Sequence, residues 1–211
     1  MDMTLMANKR KINNNNLAKL VAMIMVAMLG LMLCACGKED DTTRIEISKE
    51  GAVKSVISEN FTEPNYDINE LSELATSDIA DYNSEYLSTK ISLDSLKYNE
   101  KTGMIKMIMS YNSAYDYAAF NHETLFYGTV TEAIEKGYQL SGDMVGTGDD
   151  KLPDNWKEEY KDKHIVICEE KIKVKTPYKI EYTTQGVNVK GKKEAVLSEE
   201  SGDMVQLLLS K

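Results

Sequence analysis

The sequence predicts an α+β fold: a helix packed on an antiparallel sheet, with a β-rich C-terminal part. Three observations carry that expectation. Leu71, Leu74, Ala75, Ile79, Tyr82 and Tyr86 recur at the spacing of one helix face. From His164 onward the pattern becomes alternation, with Ile172 and Val174 between Lys171, Lys173 and Lys175, and Tyr178, Ile180 and Tyr182 between Lys179, Glu181 and Thr183. Successive strand residues point to opposite faces, so this pattern sets one face on a core and the other in water. All 12 Tyr, all 3 Phe and the single Trp lie after residue 60, which supplies enough apolar side chain for a folded core.

The elements follow in order. Residues 44–48 read as a strand, Lys49-Glu50-Gly51 as a turn, and residues 52–61 as a second strand. A loop containing Pro64 leads to a helix over 68–83, with Asp67 and Glu70 in a capping-box-like start. Strands over 90–98 and 104–111 flank the turn at 99–103. Residues 113–121 form a short aromatic helix, 125–128 an extended piece, and 131–136 a helical turn stopped by Gly137. Residues 142–155, with three Gly, four Asp and Pro153, read as a loop. A buried strand spans 164–168, Val187 and Val189 alternate again, and apolar residues 205–209 close the pattern. The pentapeptide Ser-Gly-Asp-Met-Val occurs at 141–145 and 201–205 and is expected to turn into a strand each time, without a wider repeat.

The chain has 211 residues, 25 Lys+Arg against 34 Asp+Glu, and a net charge of -9. Residues 1–35 hold four cations and one anion, which leaves 21 cations and 33 anions, -12, on residues 36–211. A domain of that charge repels phosphate backbones, so nucleic acid is not an expected partner. The average likewise offers no basic patch for anionic lipid head groups. The length excludes a large multidomain enzyme.

Lys9-Arg10-Lys11 precedes the polar run 13–16, and residues 20–35 are unbroken Leu, Val, Ala, Met, Ile, Gly and Cys. This is the form of a secretory signal, a basic end and then an apolar helix shorter than the ~20 residues of a comfortable span. It ends in Leu33-Cys34-Ala35-Cys36-Gly37. These residues resemble the lipobox of bacterial lipoproteins, with Leu three before the obligatory Cys, a small residue just before it and Gly just after. The resemblance implies cleavage between Ala35 and Cys36, a signal peptide over 1–35, and a diacylglyceryl group on the Cys36 thiol. Residues 36–43 then form a lipidated tether and 44–211 a single globular domain. Two acyl chains at ~0.8 kcal/mol per buried methylene hold a protein stably on a bilayer, where one chain does so only marginally.

Beyond the anchor, Cys168 is the remaining cysteine, so a disulfide within the domain is impossible; its strand context reads as a small apolar core residue. His122-Glu123 begins like a zinc-protease helix, but the fifth position is Phe126. His122 and His164 lie in different elements, and Asp143, Asp149, Asp150 and Asp154 do not follow the spacing of an EF-hand loop. No catalytic residue, metal site or cofactor is therefore expected. Tyr111, Tyr115, Tyr117 and Phe120 are a candidate ligand face, set against their use as core and rim. The whole resembles small surface lipoproteins of low-GC Gram-positive bacteria, through Tyr111-Asn112, Phe120-Asn121 and the helix with Asp67, Glu70 and Leu71. The expected function is a non-enzymatic binding or accessory module, anchored on the extracytoplasmic face of the cell membrane. Its expected partners are the membrane, through the lipid, and an envelope peptide, glycan or protein. The alternative is a small envelope hydrolase using the loop carboxylates.

Overall fold

A computed structural model describes residues 42–62, 67–148 and 151–211. The expected signal peptide, with Leu33, Cys34, Ala35 and Cys36, lies outside the described residues, as do Asp149 and Asp150. The described residues fall within one unit, Gly37–Lys211.

The first strands are β1 (Arg44–Ile47) and β2 (Val53–Asn60), followed by helix α1 (Ile68–Ser84) and the hairpin of β3 (Ile91–Asn99) and β4 (Met104–Tyr111). Helix α2 (Ala114–Asn121), strand β5 (Leu125–Thr129), helix α3 (Val130–Glu135), strand β6 (Val145–Gly146) and the short helix α4 (Trp156–Glu159) come next. Then follow β7 (His164–Cys168), β8 (Lys173–Lys175), β9 (Ile180–Thr183), β10 (Asn188–Lys190), β11 (Glu194–Val196) and β12 (Val205–Leu209). They form a seven-stranded sheet in the order β10-β11-β8-β1-β2-β4-β3 and a five-stranded sheet in the order β5-β7-β12-β9-β6. The α+β class and the β-rich C-terminal part are as the sequence predicts.

One pairing departs from the antiparallel expectation. β1 runs parallel to β8, while the other pairs among the described residues are antiparallel. Alternation in a sequence reports which face a side chain takes, and it is the same for either strand direction.

Register explains the polar face of the larger sheet. Lys54 lies opposite Glu46, Glu46 opposite Lys175, Lys175 opposite Glu194, and Glu194 opposite Lys190. This row alternates in sign across five strands, and opposite charges facing each other across strands are favourable. The neighbouring row, Ser55, Ile45, Val174, Ala195 and Val189, is mostly buried.

β3 carries a bulge that its sequence encodes. Leu93 lies opposite Met109 and Ser95 opposite Ile108, leaving Asp94 as the extra residue. The apolar positions Ile91, Leu93, Leu96 and Tyr98 break period two at that point, and the bulge restores them to one face. Asp94 accepts hydrogen bonds from Ser92 Oγ at 3.0 Å and Ser110 Oγ at 2.6 Å.

α1 buries Leu71, Ala75 and Ile79. Asp67 caps it by accepting from Asn69 N at 2.7 Å; the box expected with Glu70 is not formed, because the nearer amide takes the carboxylate. A reciprocal box instead opens α3, between Thr129 and Glu132. At the far end of α1, Asn83 Oδ1 accepts from Lys90 N and Ile91 N, and its amide donates to Ile91 O, fixing where β3 begins.

In the smaller sheet, β12 lies between β7 and β9 and all five of its residues are buried, which is why it is apolar apart from Gln206. Its one polar side chain is bonded through both its oxygen and its nitrogen. Gln206 accepts from Ser141 N and donates to Gln139 O, pinning the loop before β6. Residues 145–146, expected as part of a loop, form β6, and residues 156–159 form α4. The repeated pentapeptide precedes a strand both times, but in opposite phase: Met144 is buried and Val145 exposed, while Met204 is exposed and Val205 buried. The turns differ too. Gly202 has φ 72, and buried Ser201 donates to Gly186 O at 3.0 Å.

Candidate functional site

Of the aromatic residues singled out from sequence, Tyr115, Tyr117 and Phe120 lie on α2, and Tyr111 ends β4 beside it. Ser113 caps this helix through the amide of Asp116, and buried Asp116 returns the contact by accepting from Ser113 Oγ at 2.6 Å. The other carboxylate oxygen accepts from Tyr82 OH at 3.2 Å, and Tyr86 OH donates to Tyr82 OH at 3.3 Å. α2 is thereby tied to α1 through charge-assisted bonds in a partly dry setting, where such bonds are strongest.

The opposite side of α2 carries the deepest group. Tyr117 OH donates to Glu170 Oε2 at 2.5 Å, with both residues buried. Tyr111 packs edge-on against Tyr117 with ring centroids 5.0 Å apart, and its hydroxyl accepts from Asn121 Nδ2 at 3.3 Å. Cys168 Sγ donates to Glu170 O at 3.7 Å. Glu170 sits between β7 of one sheet and β8 of the other, and Tyr117 sits between β4 and β5. Their bond therefore ties together two of the connections that carry the chain from sheet to sheet.

Burial pushes the Glu170 carboxyl up to about 7; the hydrogen bond from Tyr117 works downward, and the charge of Glu123 adds to the rise. Burial also drives the Tyr117 and Tyr111 hydroxyls up, so both remain protonated donors. The Cys168 thiol is raised by burial and by the Glu170 charge, which leaves it protonated and unreactive at neutral pH. The cluster is chemically able to bind and release one proton near neutrality. Enclosed by rings, it does so within the core.

The four aromatic residues expected to make a ligand face do not share one. Tyr111 and Tyr117 are 2% and 3% exposed and belong to the core; Phe120 is half-buried, edge-on to Tyr82 at 5.8 Å and near Tyr111 at 6.1 Å; Tyr115 stands out at 69%. The reason is helical period. Tyr117 and Asn121 face the sheets four residues apart, and Tyr115 points away from them.

His122 is exposed at the C-cap of α2 with φ 57, a position set by the backbone turn. His164 stacks on Tyr127 at 5.0 Å, and its Nδ1 lies 2.8 Å from Lys211 O, so that nitrogen carries the proton. Asp143 and Asp154 are exposed, and among the described residues no group of three or more His, Cys, Asp or Glu side chains is arranged to hold a metal ion. No helix among them is long and apolar enough to cross a membrane. Sequence reasoning missed Glu170 and Asp116. Glu170 follows Glu169 and precedes Lys171, a run that reads as solvated charge, and its partner is 53 residues away.

No protein family, curated protein or solved structure matches the chain at a significant level.

Proposed function

We propose that the chain is a lipoprotein anchored on the extracytoplasmic face of a bacterial cell membrane, and that its domain is a non-enzymatic binding or accessory module. The observation that carries this reading is the run Leu33-Cys34-Ala35-Cys36-Gly37 at the end of a short apolar stretch behind Lys9-Arg10-Lys11. Basic end, apolar length and a correctly placed cysteine together specify lipid attachment far better than any one of them. Two acyl chains on Cys36 would provide the membrane affinity that a net charge of -9 does not. The non-catalytic part is supported by how the buried carboxyls are used. Asp116 holds α2 to α1, and Glu170 accepts from Tyr117, so both serve as structural acceptors.

The test is Cys36→Ser in the producing bacterium. Intact mass of the wild-type protein is expected to show removal of residues 1–35 and a diacylglyceryl group on Cys36; the variant is expected to persist as unprocessed precursor. A variant that still partitions into detergent at mature size refutes the anchor.

A further inference from the structure

Residues 171–193 contain seven lysines and one glutamate, a balance of +6, in a chain whose net charge is -9. The rest of the chain therefore carries -15, and the averaged charge conceals a segregated one.

The fold gathers part of this segment, with Lys211, into one corner. The turn at 191–193 joins edge strand β10 to β11. Ile180 N donates to Lys192 O at 2.8 Å, setting Lys179 beside that turn, and Ser210 N donates to Lys179 O at 2.8 Å, bringing Lys211 to the same place. Lys211 Nζ lies 5.9 Å from the centre of the Tyr178 ring, whose other neighbour is His164 at 5.5 Å. Lys193 Nζ donates to Pro177 O at 2.7 Å, so this lysine also shapes the turn.

Three nearby acids are already engaged. Glu194 pairs with Lys173 at 3.6 Å, Glu46 with Arg44 at 2.7 Å and Lys175 at 3.4 Å, and Glu181 with Lys163 at 2.8 Å. Among the described residues, none of these ion pairs includes Lys179, Lys190, Lys192 or Lys211. Lys179, Lys190 and Lys192 are exposed. Lys179, Lys192 and Lys211 thus lie at one corner outside these ion pairs, and Lys190 beside them faces Glu194, which Lys173 already holds. Repulsion among them favours a bound polyanion, which would release its own counterions on docking.

Two polyanions have this chemistry, a charged bilayer surface and a soluble chain. Bilayer docking draws on apolar side chains beside the basic ones. The exposed large apolar residues Leu87, Tyr98, Tyr115, Ile134, Val145 and Met204 all lie outside residues 171–193. The corner also lies past the end of β1 remote from Arg44, the residue nearest the tether in that strand. We infer that the corner formed by Lys179, Lys190, Lys192 and Lys211 binds an extended phosphate-bearing polymer outside the cell. The inference rests on the binding-module reading and names its ligand class.

The test uses the purified full chain in phosphatidylcholine nanodiscs, with long-chain inorganic polyphosphate and phosphatidylglycerol vesicles as separate probes. Polyphosphate is expected to bind, more weakly as salt rises, and Lys179→Gln, Lys190→Gln and Lys192→Gln together are expected to weaken it about tenfold. The charge-matched triple Lys97→Gln, Lys101→Gln and Lys161→Gln should change it less than about threefold. Equal weakening by both triples, no polyphosphate binding at low salt, or preference for the vesicles would each overturn the proposal. Thermal midpoints of both triples are compared with wild type, and a triple that does not fold is replaced by its three single variants. A chain that fails to enter nanodiscs refutes the anchor alone, and its polyphosphate binding is then read in solution.

Discussion

On one face of the five-stranded sheet, Trp156, Phe126, Ile165, Ile167 and Leu208 pack with Val130, Ala133, Leu140, Met144 and the ring of Tyr182, a mainly apolar cluster with no buried carboxyl. Around α2, by contrast, the buried rings are Tyr111 and Tyr117, and a carboxyl from Glu170 lies among them. The first region is held by removing apolar area from water, a force without direction and almost independent of pH. The second is held by bonds with fixed partners, and one partner titrates. Equally buried residues can therefore respond to different perturbations: the first region to lost volume, the second to a lost hydroxyl or a moved proton.

The largest expected effect is in the apolar region. Trp156 is 2% exposed, and Trp156→Ala should cost about 3–5 kcal/mol in urea unfolding, with little dependence on pH. A cost below about 1 kcal/mol would mean that the short helix α4 is not part of this core. Next is Tyr117→Phe, which keeps the ring and removes the donor to Glu170. Leaving a buried acceptor without its bond costs about 1–3 kcal/mol, and more above neutral pH, where the carboxyl is charged. Equal losses at pH 6 and pH 8 would contradict the hydrogen bond's assigned partner. The smallest effect expected is none. Cys168 is buried and its thiol protonated, so the thermal midpoint should be the same with and without reductant. A drop under reducing conditions would reveal a disulfide through Cys168.

Parts of both regions were legible from sequence. Period two in β4 and the apolar run of β12 located their strands, and the stripe of α1 located its helix to within a residue at its end. Three-residue strands were harder. β11 is Glu194-Ala195-Val196, a pattern too short to separate from a turn, and it became a strand by pairing with both β8 and β10. The parallel direction of β1 against β8 leaves no local mark. The candidate site was half visible: Tyr111 and Tyr117 stood out as aromatic residues, but their function as partners depended on Glu170, brought in by tertiary folding alone. The lysine corner was in plain view at residues 171–193, hidden by averaging charge over the whole domain.

The contrast between the two regions turns on the ionisation of Glu170. Its carboxyl is raised from 4.5 to about 7 in the folded state, so between those values the folded protein holds a proton that the unfolded chain has lost. Stability must then fall as pH rises through that window, and the shift is worth about 3 kcal/mol at about 1.4 kcal/mol per pH unit. Glu59, Asp78 and Glu123, also raised by burial, slope the same way, but they remain in a Glu170→Gln variant and largely cancel in the difference. The decisive measurement is the unfolding free energy of wild type and Glu170→Gln from pH 4.5 to pH 8.5. Wild type should lose about 3 kcal/mol relative to the variant by pH 7 and level off above it. Curves that stay parallel, or a wild type that gains stability over the variant as pH rises, would contradict a buried, proton-binding carboxyl at the centre of the tyrosine core.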